Sequence, residues 1–167
     1  MRFSDFIALS LVATLALLTG CAGAPARPNA VAASAPPAPA QRLDRGVRAA
    51  LIAREQIGVS YRYGGMSPAT GFDCSGLVYY SYAEAGVPVP RTSTDQFRAA
   101  RKISLADAEP GDVVFFQDQE KLSHVGIYLG QGRFIHAPSS GRTVSVASID
   151  SPYYQEHLVA VGRLTLH

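Results

Sequence analysis

Cysteine is scarce in this 167-residue chain, which has only Cys21 and Cys74. Runs of Lys or Arg are absent and the formal net charge is only +2, so the footprint that attracts a polyanion is missing and no nucleic-acid partner is expected. Apolar runs of membrane-spanning length are also absent. The stretch from Phe6 to Leu18, behind Arg2, has the length of a signal-peptide core. From Ala22 to about Gln41 there is no Phe, Tyr, Leu or Ile, only an Ala- and Pro-rich stretch. Such a stretch buries too little apolar surface to offset ordering and reads as a semi-extended tether. With no internal repeat visible, the rest is expected to form one domain of roughly 120 residues.

What is present at the N-terminus sets an expected compartment. Leu18-Thr19-Gly20-Cys21 resembles a bacterial lipobox, in which cleavage precedes the cysteine, its thiol takes a diacylglycerol and its new amino group is acylated. The expected organisation is therefore a signal peptide over 1–20, a lipidated Cys21 with its tether over 21–42, and a folded domain over 43–167. The basic region is thin, because Asp5 partly opposes Arg2. Ala22 after Cys21 points to the outer membrane, facing the periplasm. A tether of about twenty residues reaches at most ~60 Å in polyproline form. Once Cys21 is acylated, the mature chain keeps one thiol and can form no intramolecular disulfide. A lone thiol in an oxidising compartment has to be buried or useful.

Periodicity divides the domain in two. Val47, Leu51, Ile52 and Ile57 fall at helical spacing in a first helix that begins near Leu43 and ends at Gly58. A loop punctuated by glycine and proline follows, then a second helix opens at Cys74, stops at Gly86, and turns Leu77, Val78, Tyr80 and Ala85 inward. A shorter helix spans Thr94 to Ala100. Beyond it come short β-branched or aromatic runs, D-V-V-F-F, H-V-G-I-Y-L-G, R-F-I-H-A, T-V-S-V-A and L-V-A-V-G-R-L, separated by turn signals such as Pro110-Gly111 and Gly130-Gln131-Gly132. Helices first and antiparallel strands second predict an α+β domain.

Cys74 can be a small buried apolar residue or a nucleophile. A nucleophilic thiol needs a pKa below its free value of about 8.5, and therefore nearby positive charge or a helix N-terminus. Asp73 is a good N-cap for a helix that opens at Cys74, while Gly71 and Gly76 let backbone approach closely. For a base there are four histidines. His157 lies in a polar segment and His167 is the last residue, so both read as bystanders. Alternation puts His124, Gly126 and Tyr128 on one strand face, with room beside the imidazole at Gly126, and Val125, Ile127 and Leu129 on the other. The tight turn at Gly130 to Gly132 makes the strand ending in His136 an antiparallel neighbour, so the two histidines can meet across the sheet. A second imidazole can hold the first one's tautomer as a carboxylate or amide would. Cys74, His124 and His136 match no closed zinc spacing and lack an obvious fourth ligand, so neither a metal nor a cofactor is expected.

Taken together, Tyr61-Arg62-Tyr63-Gly64-Gly65, Asp73-Cys74-Ser75-Gly76-Leu77, Pro90-Arg91-Thr92-Ser93, the run from Pro110 to Phe116, the run from His124 to Gly130, and Phe134-Ile135-His136-Ala137 resemble the NlpC/P60 family of cell-wall cysteine peptidases from about residue 45 onward. The lipobox and single domain are similar to its lipoprotein murein endopeptidases. The resemblance implies a circularly rearranged papain-like fold, with helices packed on a five- or six-stranded antiparallel sheet. It implies Cys74 as nucleophile, His124 as base and His136 as the residue that orients the base. It also implies an oxyanion role for Tyr61 and contacts to the polar end of a stem peptide from Asp73, Ser75 and Arg91. Each of those last three has a plainer reading, as N-cap, first-turn filler and surface charge. The loop around Met66 to Thr70 is slightly longer than in compact relatives, which bears on specificity. The expected substrate is the peptidoglycan stem peptide, and the expected state is a monomer held to a membrane through Cys21. A catalytically silent wall-binding lipoprotein, and an amidase or acyltransferase with a wide apolar groove, are the alternatives.

Overall fold

The structure is a computed structural model that describes residues 39–119 and 121–165. The signal peptide, Cys21, most of the tether and His167 lie outside those residues. The first helix, α1 (Pro39–Glu55), starts earlier than the apolar pattern suggests, so the last residues of the expected tether are its first turn. Proline is well suited to that position, where its missing N–H has no helical partner to lose.

The α1 face that packs inward is also not the expected one. Ala49, Ala50, Ala53 and Gln56 are buried, whereas Val47, Leu51 and Ile57 are exposed. The reason is close approach: Gly46 lies so near Gly111 that a Cβ on Gly111 would overlap its backbone. Small side chains fit best at that separation, so the alanine stripe goes inward, Val47 and Leu51 stay in water, and Ile52 packs against the core only partly buried.

After a small hairpin, β1 (Met66–Ser67) and β2 (Gly71–Phe72), comes α2 (Cys74–Glu84), with Asp73 as its N-cap. Helix α2 buries Leu77, Val78 and Tyr82 in the core, and the Tyr82 hydroxyl donates to the Gly111 carbonyl. Complete burial of a side chain of Leu size stabilises the fold by about 1.5–3 kcal/mol. Gly86, at φ 77°, turns the chain away from the helix end. Helix α3 (Ser93–Ala99) is capped by Thr92.

Six antiparallel strands complete the fold: β3 (Arg101–Ile103), β4 (Val113–Asp118), β5 (Lys121–Gly130), β6 (Arg133–His136), β7 (Ser145–Ser148) and β8 (Leu158–Arg163). Their order across the sheet is β3-β8-β4-β5-β6-β7. Period-two alternation sorts the sheet into two faces. Val113, Phe115, Val125, Ile127 and Ile135 pack with α1 and α2 in the main core, while Val114, Phe116, Tyr128, Phe134 and Val161 form a second cluster on the opposite face. The short helix α4 (Pro152–His157), which the residue pattern did not reveal, brings Tyr154 to that second cluster. The turn joining β5 to β6 runs through Gly130, Gln131 and Gly132 at φ 89°, 54° and 66°. It sets the register Ile127↔Ile135 and Tyr128↔Phe134.

Candidate active site

Cys74 is the first residue of α2, half-buried, at the floor of a groove of about 530 Å³. Three backbone N–H groups face its sulfur, those of Cys74, Ser75 and Val125. The last belongs to the residue after His124, so α2 and β5 meet at the thiol. Burial pushes the Cys74 thiol up and the Asp73 charge adds to this, while the three N–H groups pull the other way. A Cβ at Gly76 would overlap the Gly65 carbonyl, so the Tyr61 to Gly65 loop reaches the helix tip only because residue 76 has no side chain.

The histidines meet as their strands require. His124 Nε2 lies 2.7 Å from His136 Nδ1, with the rings edge-on at 76°. That bond occupies Nε2, leaving Nδ1 as the His124 nitrogen with no partner in the pair. Burial pushes His124 down to about 3, with the second ring adding to the effect. Burial also pushes His136 down to about 4, helped by the Arg142 charge. Both rings are therefore neutral around pH 7. The room expected at Gly126 is taken: a Cβ there would meet the Phe134 ring and the Ile135 carbonyl. Gly126 thus lets Phe134 pack 4.9 Å from His136.

Across the groove, Arg91 is no plain surface charge. Its guanidinium donates to both Asp73 oxygens, at 3.0 and 2.7 Å, and to Ser75 Oγ at 2.9 Å. Asp73 also accepts from the N–H of Gly76 at 2.6 Å and of Gly64 at 2.9 Å. Burial by itself would raise the Asp73 carboxyl, but the bonds from Arg91 and Gly76 outweigh it and hold the group below its ordinary value. Asp73 is therefore N-cap and ion-pair partner at once. Tyr61 lines the groove, and burial together with the Cys74 and Asp73 charges pushes its hydroxyl up, so it stays a proton donor.

Four residues of the site escaped sequence reasoning. Gln96 is fully buried and donates to the carbonyls of Ser75 and Pro90, tying the Arg91 loop to α2. Ser123 and the 89% exposed Tyr63 line the groove. Tyr154 stands behind the histidine pair. Tyr63 lay inside the Tyr61-Arg62-Tyr63 motif without a role of its own, while nothing local marked Ser123, Gln96 or Tyr154. Among the described residues, no cluster of three or more His, Cys, Asp or Glu side chains could hold a metal ion.

A lone cysteine at a helix start, set against an antiparallel sheet whose adjacent strands carry a bonded histidine pair, defines a papain-like α+β fold. Residues 58–163 match the model of the NlpC/P60 family, and the chain belongs to that family. It is 43% identical over 115 residues to the murein DD-endopeptidase MepH of Escherichia coli, covering 66% of this chain and 42% of the relative. It is 44% identical over 110 residues to the bifunctional muramidase/DL-endopeptidase CwlT of Bacillus subtilis, covering 64% of this chain and 33% of the relative. The matched region thus spans less than half the length of either curated relative. Among solved structures, the peptidoglycan hydrolase RipB from Mycobacterium tuberculosis superposes with a TM-score of 0.66 at 32% identity, covering 78% of this chain and 70% of that one.

Proposed function

We propose that the chain is a peptidoglycan endopeptidase that cuts an amide bond of the stem peptides or their cross-links through a thioester on Cys74. The observation that carries this reading is the placement of Cys74 at a helix N-terminus in an open groove, beside the strand that bears the bonded His124 and His136 pair. The names of the relatives, DD-endopeptidase, DL-endopeptidase and gamma-DL-glutamyl hydrolase, support the substrate class.

In this mechanism His124 Nε2–H donates to His136 Nδ1, and His124 Nδ1 takes the thiol proton as Sγ attacks the carbonyl carbon. Because burial favours the neutral forms of both partners, proton transfer accompanies attack. The tetrahedral oxyanion is met by the Cys74 N–H and the Tyr61 hydroxyl. The C–N bond then breaks, and the amine leaves with the proton from His124. Water, deprotonated by the same nitrogen, hydrolyses the thioester to a carboxylate and restores the thiol. Asp73, Ser75 and Arg91 form the polar wall that would take the charged end of a stem peptide. The bond cut is D-alanyl to meso-diaminopimelate or γ-D-glutamyl to diaminopimelate. A lipid on Cys21 would hold the domain to the outer membrane, facing the periplasm. The groove sets hydrogen-bonding groups of Asp73, Ser75, Arg91, Thr92, Ser93 and Ser123 beside the aromatic surface of Tyr61 and Tyr63, a mixed lining that supports a peptide substrate over a lipid one. Muropeptides treated with the full chain should yield new amine and carboxylate ends by mass spectrometry. Unchanged muropeptides with an intact Cys74 thiol would overturn the reading.

A further inference from the structure

We propose that Tyr154 of α4 is a positioning residue: its ring fixes the planes of His124 and His136 and keeps water from the bond between them. Four rings of the sheet define its place. Tyr154 lies edge-on to His136 (5.5 Å, 83°) and to Phe134 (4.8 Å, 85°), and tilted against Phe116 (5.0 Å, 56°) and His124 (6.5 Å, 31°). It thus touches both histidines and both phenylalanines that pack beside them.

This matters because the pair works in only one arrangement. For His124 Nδ1 to take a proton from Cys74, Nε2 must keep its own proton and His136 Nδ1 must offer a lone pair. Turning the His136 ring, or letting water reach Nδ1, loses that arrangement. Phe134 packs on the His136 ring at 4.9 Å and Phe116 lies 6.0 Å from the His124 ring. Tyr154 adds the contact shared by both rings. Its hydroxyl lies 3.4 Å from His136 Nδ1, the atom that His124 Nε2 meets at 2.7 Å. At that length the hydroxyl bond is the weaker of the two, so the aromatic plane carries the role.

The inference rests on the cysteine-hydrolase reading, and alkylation of Cys74 by iodoacetamide separates the two because it needs no substrate. Tyr154→Leu keeps apolar bulk under α4 but removes the ring plane, whereas Tyr154→Phe keeps the ring. For Tyr154→Leu we expect kcat on muropeptides to fall about tenfold to a hundredfold, KM to stay within about twofold, and alkylation to slow in parallel. Tyr154→Phe should restore most of both rates. Tyr154→Leu with wild-type kcat and alkylation would overturn the inference alone, as would equal losses in the Leu and Phe variants. A wild-type chain that neither cleaves muropeptides nor alkylates at Cys74 would sink the underlying functional reading instead.

Discussion

The two sides of the groove are built by opposite physics. On the Arg91 side, charges are kept charged: Asp73 accepts two N–H groups and a guanidinium that remains partly in water. On the histidine side, charge is suppressed, because burial and aromatic packing hold His124 and His136 neutral. An ion pair anchored to a helix cap survives contact with solvent, while a base that must stay unprotonated benefits from being dry. Cys74 sits where the two meet, with its sulfur facing N–H groups of α2 and of β5. The comparison teaches that one half of the site suits recognition of a charged substrate end and the other suits proton transfer.

The largest effect should come from the meeting point. Cys74→Ala, and separately His124→Ala, should lower kcat on muropeptides by at least about a thousandfold with the fold intact by circular dichroism. Residual activity within tenfold of wild type would remove either residue from the chemistry. Next, Arg91→Ala should act on stability as well as recognition, since it strands a mostly buried carboxylate. A loss of about 1–3 kcal/mol in urea denaturation is expected, with a raised KM. His136→Asn should be milder, because an amide can still accept from His124 Nε2–H. A fall in kcat of about tenfold with little change in KM is expected.

The smallest effects are pH-dependent. With both imidazoles depressed, His124 should act as a base well below the ordinary imidazole range, so the acid limb of kcat/KM should lie below about pH 6. A limb centred on the ordinary value would contradict the dry side of the comparison. Stability should move as well. The folded pKa values lie below the unfolded ones, so the unfolded chain binds protons first as pH falls. Stability should therefore drop from about pH 6.5 down to about pH 3, where the lower of the two folded values lies, and level off below. His136→Asn should flatten part of that slope in thermal melts.

The chemistry was more legible in the sequence than the packing. Asp73 as a cap, Cys74 as a helix start and the His124 and His136 pairing all follow from short-range rules: capping, period-two alternation and a glycine turn that sets register. Five of the six strands follow from the same periodicity, while the three-residue β3 had no run to mark it and the sheet's size was implied only by the family resemblance. Helix α1 shows where such rules stop. Val47 and Leu51 stay outside and Ile52 is only partly buried because a close backbone approach favours alanine on the inner face, and apolar spacing says nothing about how near two elements come. Tyr154 and Gln96 act through contacts far along the chain, across 18 residues to His136 and 21 to Ser75, with no local pattern to mark them. Arg91 lay in a recognised motif, yet its pairing with Asp73 became clear only once α2 and its loop were placed.

The central claim, that Cys74 attacks an amide of the peptidoglycan stem, is tested most directly by mass spectrometry of muropeptides incubated with the wild-type chain beside Cys74→Ala. The account predicts products with one water added per bond cut, formed by the wild type and absent with the variant. Equal cleavage by both proteins, or none by a wild type whose Cys74 is fully reduced, would contradict it.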